Sequence, residues 1–128
     1  MGAWNTGPFD NDDAGDFVGD LLREGLQAVG GVLQIAFDVE ELEAPEASQA
    51  VAAAAFLAAV NSGQDQLIPK ELKALAKECA GSHPELILLA RKVLSRVVDA
   101  SELEALWSEA DDYEDWLGSI SAIRRQLA

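Results

Sequence analysis

The sequence predicts an all-α fold, a compact bundle of about six helices with an ordered non-helical N-terminal arm. Alternation of aromatic and β-branched residues of the strand type is nearly absent, and no Asn-Gly or Asp-Gly hairpin turn occurs. Apolar residues instead recur at intervals of three and four through most of the chain, which is the spacing of a helix face. A hydrophobic fraction of 49% supplies enough apolar side chain for one core.

The first two helical segments are predicted between the acidic N-terminal cluster and Val39. Asp10 to Asp13 offers several helix N-cap candidates, and Asp16 is expected in the first turn, where negative charge meets the positive helix end. Gly25 and the Gly30-Gly31 pair are poor helix formers, so Leu26 to Val39 is predicted to be a separate helix or a bent continuation. The buried faces are expected to carry Phe17, Leu21 and Leu22 in the first segment and Leu26, Val29, Leu33 and Phe37 in the second.

An alanine-rich helix is predicted next, from Glu46 to Val60, with Pro45 at its first position and Asn61-Ser62-Gly63 closing it. Small side chains let neighbouring helices approach closely. We therefore expect this helix to lie at the centre of the bundle.

The second half of the chain predicts four further helical segments. One starts at Pro69, the next spans Glu85 to Val98, and the capping box Ser101-Glu102-Leu103-Glu104 opens a short one ending near Trp107. The last runs from about Asp112 to Leu127. In the segment from Pro69 the predicted buried residues are Leu72, Leu75, Ala76 and Cys79. In the segment from Glu85 to Val98 they are Leu86, Leu89, Ala90, Val93, Leu94 and Val97, and in the last segment they are Trp116, Ile120, Ile123 and Leu127.

Length and composition predict one cytoplasmic domain spanning residues 1–128, with 1–12 as an arm packed on the bundle. Cys79 is the one cysteine, so no internal disulfide can form, and a lone thiol suits a reducing compartment. The longest uncharged apolar run, Ala50 to Val60, has 11 residues, about half the ~20 that a bilayer crossing needs. No secretory signal pattern begins the chain.

The net charge of −14 is unevenly distributed. Residues 1–46 carry −10 and residues 99–116 carry −8, whereas residues 65–98 between them carry +2. This charge argues against binding to nucleic acid or to an anionic membrane. It leaves two interpretations: solubility with attraction between the blocks of the same chain, or an acidic surface that attracts a basic partner.

The N-terminal segment is the unusual feature of the sequence, because two aromatics, a Gly-Pro turn and an acidic cluster fall within ten residues. One interpretation is that Trp4 and Phe9 plug the bundle while the acids cap the first helix. The other is a metal loop. Counted from Asp10, an EF-hand loop fails because Ala14 and Leu21 occupy ligand positions. A looser Ca²⁺ or Mg²⁺ site remains open. The candidate binding residues are Trp4, Phe9, Asp10, Asn11, Asp12, Asp13 and Asp16.

Trp107 and Trp116 bracket a second acidic stretch, Glu109 to Asp115. Either both rings complete the core where the last two helices meet, or one is a partly exposed anchor beside acids. His83 stands alone in a Ser-His-Pro turn, and Cys79 lies on the apolar side of its predicted helix. Nothing in the sequence argues for an enzyme or for a cofactor.

The strings MGAWNTGPFDNDDAGDF, SELEALW and DWLGSISAIRRQL resemble the bacterial domain-of-unknown-function family 4259, and the resemblance runs essentially end to end. Asn5 departs from it, since glycine is expected after the tryptophan. The resemblance implies a small cytoplasmic bacterial protein and supplies no catalytic residue. It makes the N-terminal segment the part most like a family signature, through Trp4, Gly7, Pro8, Phe9, Asp10, Asn11 and Asp12.

Three functions follow as hypotheses. The first is a protein-binding domain for a basic partner, of which an immunity or antitoxin-like protein that neutralises a toxin is one concrete form. The second is a divalent-metal-binding domain with an acidic N-terminal site. The third is a homo-oligomeric structural protein that uses the alanine-rich helix or exposed tryptophans as its contact.

Overall fold

The alanine-rich helix lies at the centre of the bundle, as predicted. It is α3, Ala44–Ser62, in the computed structural model, which describes residues 6–128. Every residue from Ala50 to Val60 is buried, so this helix has no polar face and must be enclosed by others. Gly63 ends it in the left-handed conformation, with φ 75°, that glycine adopts without steric cost.

Four helices pack directly around α3. They are α1, Asp12–Glu24; α2, Leu26–Asp38; α5, Pro84–Ala100; and α7, Tyr113–Leu127. Neighbours also touch one another in the order α1, α2, α5, α7. The interior they enclose is one cluster of buried apolar side chains.

Two short helices complete the fold. A 3-10 turn, Lys70–Leu72, leads into α4, Lys73–Glu78, and α6 is Glu102–Trp107. Residues 6–128 thus contain seven α-helices where the sequence suggested about six. The difference arises at Gly25, whose φ of 59° separates α1 from α2. That part of the chain contains no β-strand, only an isolated parallel bridge between Leu42 and Ser101. None of its helices combines the length and the hydropathy that a membrane crossing requires.

Two of the predicted buried faces were wrong at one residue each. Leu22 is 54% exposed and Phe37 is 45% exposed, while Ala14 and Ala36 occupy the interior positions. At 3.6 residues per turn, Leu22 points about 140° away from Phe17, and Phe37 about 80° away from Val29. A helix that buries Phe17 or Val29 against α3 therefore turns these larger residues outward.

The α7 prediction is confirmed, since Trp116, Ile120, Ile123 and Leu127 are all buried. The residues that were also predicted inside but are only half-buried at the margin of the core are Leu26, Leu75, Cys79, Leu86 and Leu89. Because α3 is enclosed on all sides, it cannot form the oligomer contact that the sequence suggested.

Candidate functional site

Within the predicted N-terminal arm, the structure describes residues 6–11, whereas Trp4 lies outside the described residues. Gly7 and Asp10 close a turn, in which the Asp10 N–H donates to the Gly7 carbonyl at 3.2 Å and the Gly7 N–H donates to Asp10 Oδ2 at 3.1 Å. Pro8 is buried, and Phe9 is half-buried against the core. The turn predicted at Gly-Pro is therefore present.

The acidic cluster that follows caps α1. Asn11 is the N-cap residue, and its Oδ1 accepts from the Ala14 N–H at 2.8 Å. Asp12 and Asp13 occupy the first turn, where their charges favour the positive helix end. Asp16 was expected in that turn, but it lies one turn further along because α1 begins at Asp12.

A cleft of 450 Å³ opens where this turn meets the rest of the fold. It is lined by residues 7–10, by the 66–69 segment before the 3-10 turn, and by Asp115 and Ser119 of α7. Asp10 and Asp115, from opposite ends of the chain, thus border the same space. Among residues 6–128, no three His, Cys, Asp or Glu side chains converge in a way that could hold a metal ion. No observation here favours the metal-binding hypothesis.

Trp107 and Trp116 are only 4% and 3% exposed. Their rings stack with centroids 6.1 Å apart, and Tyr113 stacks on Trp116 at 6.2 Å. This burial supports the interpretation that both complete the core, and it removes them as exposed anchors for an oligomer.

The capping box at α6 forms only in half. Ser101 Oγ accepts from the Glu104 N–H at 3.0 Å, as predicted. The Glu104 carboxylate does not return to Ser101, because it accepts a 2.5 Å hydrogen bond from the Tyr113 hydroxyl. This bond raises the pKa of Tyr113 above its ordinary value of 10.0, and burial and the charge of Glu104 act in the same direction.

The two acidic blocks of the sequence meet at the start of α3 and α6. The Glu102 N–H donates to the Leu42 carbonyl at 2.9 Å, and the Glu102 carboxylate accepts from the Ala44 N–H at 2.8 Å. These bonds join segments 58 residues apart. They bring together five exposed acids that we call the acidic ridge: Glu40, Glu41, Glu43, Asp99 and Glu102.

Arg96 fixes this junction without neutralising it. Its guanidinium donates to the carbonyls of Ala36 at 2.8 Å, Phe37 at 3.2 Å and Glu40 at 2.8 Å, which caps the C-terminal end of α2. Of the 23 acidic residues, all within 6–128, only Asp20 and Asp65 form ion pairs, with Arg23 and Lys73. No ridge acid is therefore ion-paired within residues 6–128, and Glu102 is the one whose carboxylate accepts a hydrogen bond there.

A protein-family model described as Domain of unknown function (DUF4259) matches residues 2–119. This chain belongs to the DUF4259 family. No curated protein and no solved structure matches it. The matched region includes the N-terminal turn, the acidic ridge and both buried tryptophans.

The acidic ridge of this DUF4259 protein was missed by sequence reasoning at the level of residues. The two acidic blocks were visible, but which parts of them meet depends on the bridge between Leu42 and Ser101.

Cys79 offers no competing site. Burial raises the pKa of its thiol above 9.0, the charge of Glu78 adds to the effect, and a hydrogen bond with the Leu26 backbone opposes it. A raised pKa keeps the thiol protonated, which is the opposite of an activated nucleophile.

Proposed function

We propose that this DUF4259 protein is a protein-binding domain that docks a basic partner through the acidic ridge. The observation that carries the proposal is the junction of the two acidic blocks, which places Glu40, Glu41 and Glu43 beside Asp99 and Glu102 with no ion-pair partner for any of them in the described residues. Oriented, unneutralised charge on a rigid surface accelerates and orients the docking of an oppositely charged partner.

The alternative explanation for the acidic blocks was solubility together with attraction between blocks of the same chain, and the structure bears on the attraction. Such attraction requires acids of the blocks to pair with bases of residues 65–98. Within 6–128, one ion pair uses a base of residues 65–98, and it joins Lys73 to Asp65 at 3.8 Å. Both of its members belong to that middle region, so it does not connect the middle region to an acidic block. No ion pair within residues 6–128 therefore joins an acid of the blocks to a base of the middle region, although single carboxylates such as those of Glu102 and Glu104 accept hydrogen bonds within the fold.

The placement of two acids also opposes helix stability. Asp38 and Asp99 lie at the C-terminal ends of α2 and α5, where the helix dipole disfavours negative charge, and neither last turn carries a base. Asp38 accepts a hydrogen bond from Gln34 Nε2 at 3.0 Å, whereas no contact within residues 6–128 gives a local reason for the charge of Asp99. Binding of a basic surface would supply one.

A toxin-neutralising, immunity or antitoxin-like role is the concrete form of this proposal. A protein that acts on nucleic acid needs a basic surface to hold phosphates, and an acidic ridge can cover such a surface. Charge complementarity would then provide fast association that weakens as salt is added.

The test compares two variants that change net charge equally. The ridge variant carries Glu40→Gln, Glu41→Gln, Glu43→Gln and Asp99→Asn; Glu102 is left intact because its carboxylate caps Ala44. The control carries Asp16→Asn, Glu24→Gln, Glu71→Gln and Glu78→Gln, four exposed acids elsewhere. Each immobilised protein is incubated at low salt with lysate of its native host.

We expect the wild type and the control to retain the same basic protein, which elutes with salt, and the ridge variant to lose it. Recovery of no basic protein by the wild type would contradict the proposal. Equal loss by both variants would also contradict it, because the effect would then follow from net charge rather than from the ridge.

A further inference from the structure

A second surface, separate from the acidic ridge, lies between α2 and α5. It is a shallow groove of 410 Å³ whose apolar lining includes Phe37, Leu86, Leu88 and Leu89. Phe37 is 45% exposed and Leu88 is 55% exposed, although both are large apolar side chains. Its two charged residues, Glu85 and Lys92, lie seven positions apart on α5.

The α2 side of this groove is lined by Gly30, and the exposed Gly31 follows it on the helix; the fold requires neither glycine. A Cβ on Gly31 would meet nothing within 4 Å, and one on Gly30 would make an ordinary 3.5 Å contact with Leu86. Neither has positive φ. Glycine is the poorest helix former after proline, so the pair weakens the middle of α2 without an internal packing reason. Two glycines do allow another surface to approach the helix closely.

We propose that this groove is the interface with a second copy of the chain. The inference rests on a self-complementary layout and is independent of the proposed partner at the acidic ridge. Helices α2 and α5 run in the same direction, because Gly30 lies beside Leu86 while Ala36 and Phe37 lie beside Arg96. A two-fold axis that crosses both helices at right angles would lay each helix antiparallel on its own copy.

A single two-fold axis of this kind gives complementary contacts at both α2 and α5. Gly30 and Phe37 are seven residues apart on α2, and Glu85 and Lys92 are seven apart on α5, so the members of each pair share a helix face. The midpoints of the two pairs are expected to lie close to one another along the helices, since a Cβ on Gly30 would lie 3.5 Å from the end of the Leu86 side chain. The axis therefore places Phe37 over Gly30 of the second copy, Glu85 opposite its Lys92, and Leu88 at the centre.

The charge distribution favours this face over others. Two chains of net charge −14 repel each other; α5 belongs to the region 65–98, whose net charge is +2, and α2, although it belongs to the −10 region, carries a single charged residue, Asp38. Apolar contact at the centre with opposite charges at both ends is the arrangement that an isologous interface needs.

Sedimentation equilibrium of the full chain tests this proposal. We expect a dimer, and we expect Leu88→Glu to convert it to a monomer. Leu106→Glu is the matched control, because Leu106 is a similarly exposed leucine on α6 outside the groove, and it should leave the dimer intact. Thermal melts of both variants then check that each one is folded.

Charge exchange then tests the antiparallel arrangement itself. Glu85→Lys and Lys92→Glu should each weaken self-association on the order of tenfold, because each creates two like-charge contacts. A mixture of the two single variants should dimerise as tightly as the wild type, since the positive charge introduced on one chain would then face the negative charge introduced on the other.

A wild type that stays monomeric at ~100 μM would overturn the proposal. So would a dimer that survives Leu88→Glu, or single charge variants whose mixture associates no better than either alone. None of these results bears on the proposal for the acidic ridge, which is tested separately by whether the immobilised protein retains a basic protein.

Discussion

Arg96 is the side chain whose removal most directly tests the junction between the two acidic blocks. Its guanidinium donates three hydrogen bonds to carbonyls at the end of α2 and the start of the ridge segment. Arg96→Met keeps a stem of similar length and removes the charge and every donor. A hydrogen bond to a charged group contributes about 1.5–3 kcal/mol, but water can replace the two bonds in exposed positions. We therefore expect a loss of about 2–3 kcal/mol in the free energy of unfolding.

Urea denaturation followed by circular dichroism measures this loss, with an unchanged m value showing that the transition itself is the same. The matched control is Arg91→Met, five residues earlier on α5, where the arginine is exposed and has no hydrogen-bond or ion-pair partner within residues 6–128. It should stay within about 0.5 kcal/mol of the wild type. Equal effects at the two positions would refute the capping role of Arg96.

Three further predictions concern the acidic ridge and the aromatic cluster. Asp99→Asn should stabilise the protein by about 0.3–1 kcal/mol in thermal melts, because it removes a negative charge from the C-terminal end of α5, while weakening capture of the basic partner. Trp107→Ala should cost about 3–5 kcal/mol in urea denaturation, as a core tryptophan does, and a loss below about 1 kcal/mol would show an exposed ring instead. Folding raises the pKa of Tyr113, so the stability from its bond to Glu104 is present below pH 10 and falls as the pH rises through the raised value. Tyr113→Phe should abolish that fall in a pH series of melts.

Periodicity predicted the elements well where a helix presents a single apolar stripe to the interior. The spacing of Trp116, Ile120, Ile123 and Leu127 was sufficient because α7 presents a single stripe to the interior. The run of alanines was equally informative, since a helix with no polar face can only be central. Leu22 and Phe37 were misplaced because a stripe of similar residues does not say which edge of it the adjoining helices cover.

The candidate sites were harder to predict because they depend on pairing across the chain. The capping box at Ser101 is local, and half of it formed, but the Glu104 carboxylate accepts instead from the hydroxyl of Tyr113, nine residues away. The acidic ridge and the cap by Arg96 join segments 56 to 60 residues apart. No local pattern encodes such contacts, although the charge blocks did indicate which residue types would take part.

The end of α2 lies at the border of both proposed surfaces, and this allows them to be separated by salt. Arg96 holds the Phe37 carbonyl at the ridge, while the Phe37 side chain lines the groove. Salt screens the attraction between the ridge and a basic partner, so that association should weaken as ionic strength rises. The same screening weakens the two Glu85–Lys92 contacts between copies, but it also reduces the repulsion between two whole chains of charge −14 and leaves the apolar contact at Leu88 unaffected. Self-association measured by sedimentation should therefore strengthen over the range of salt in which partner capture declines. If both associations weakened together, the groove would be held by charge rather than by apolar contact.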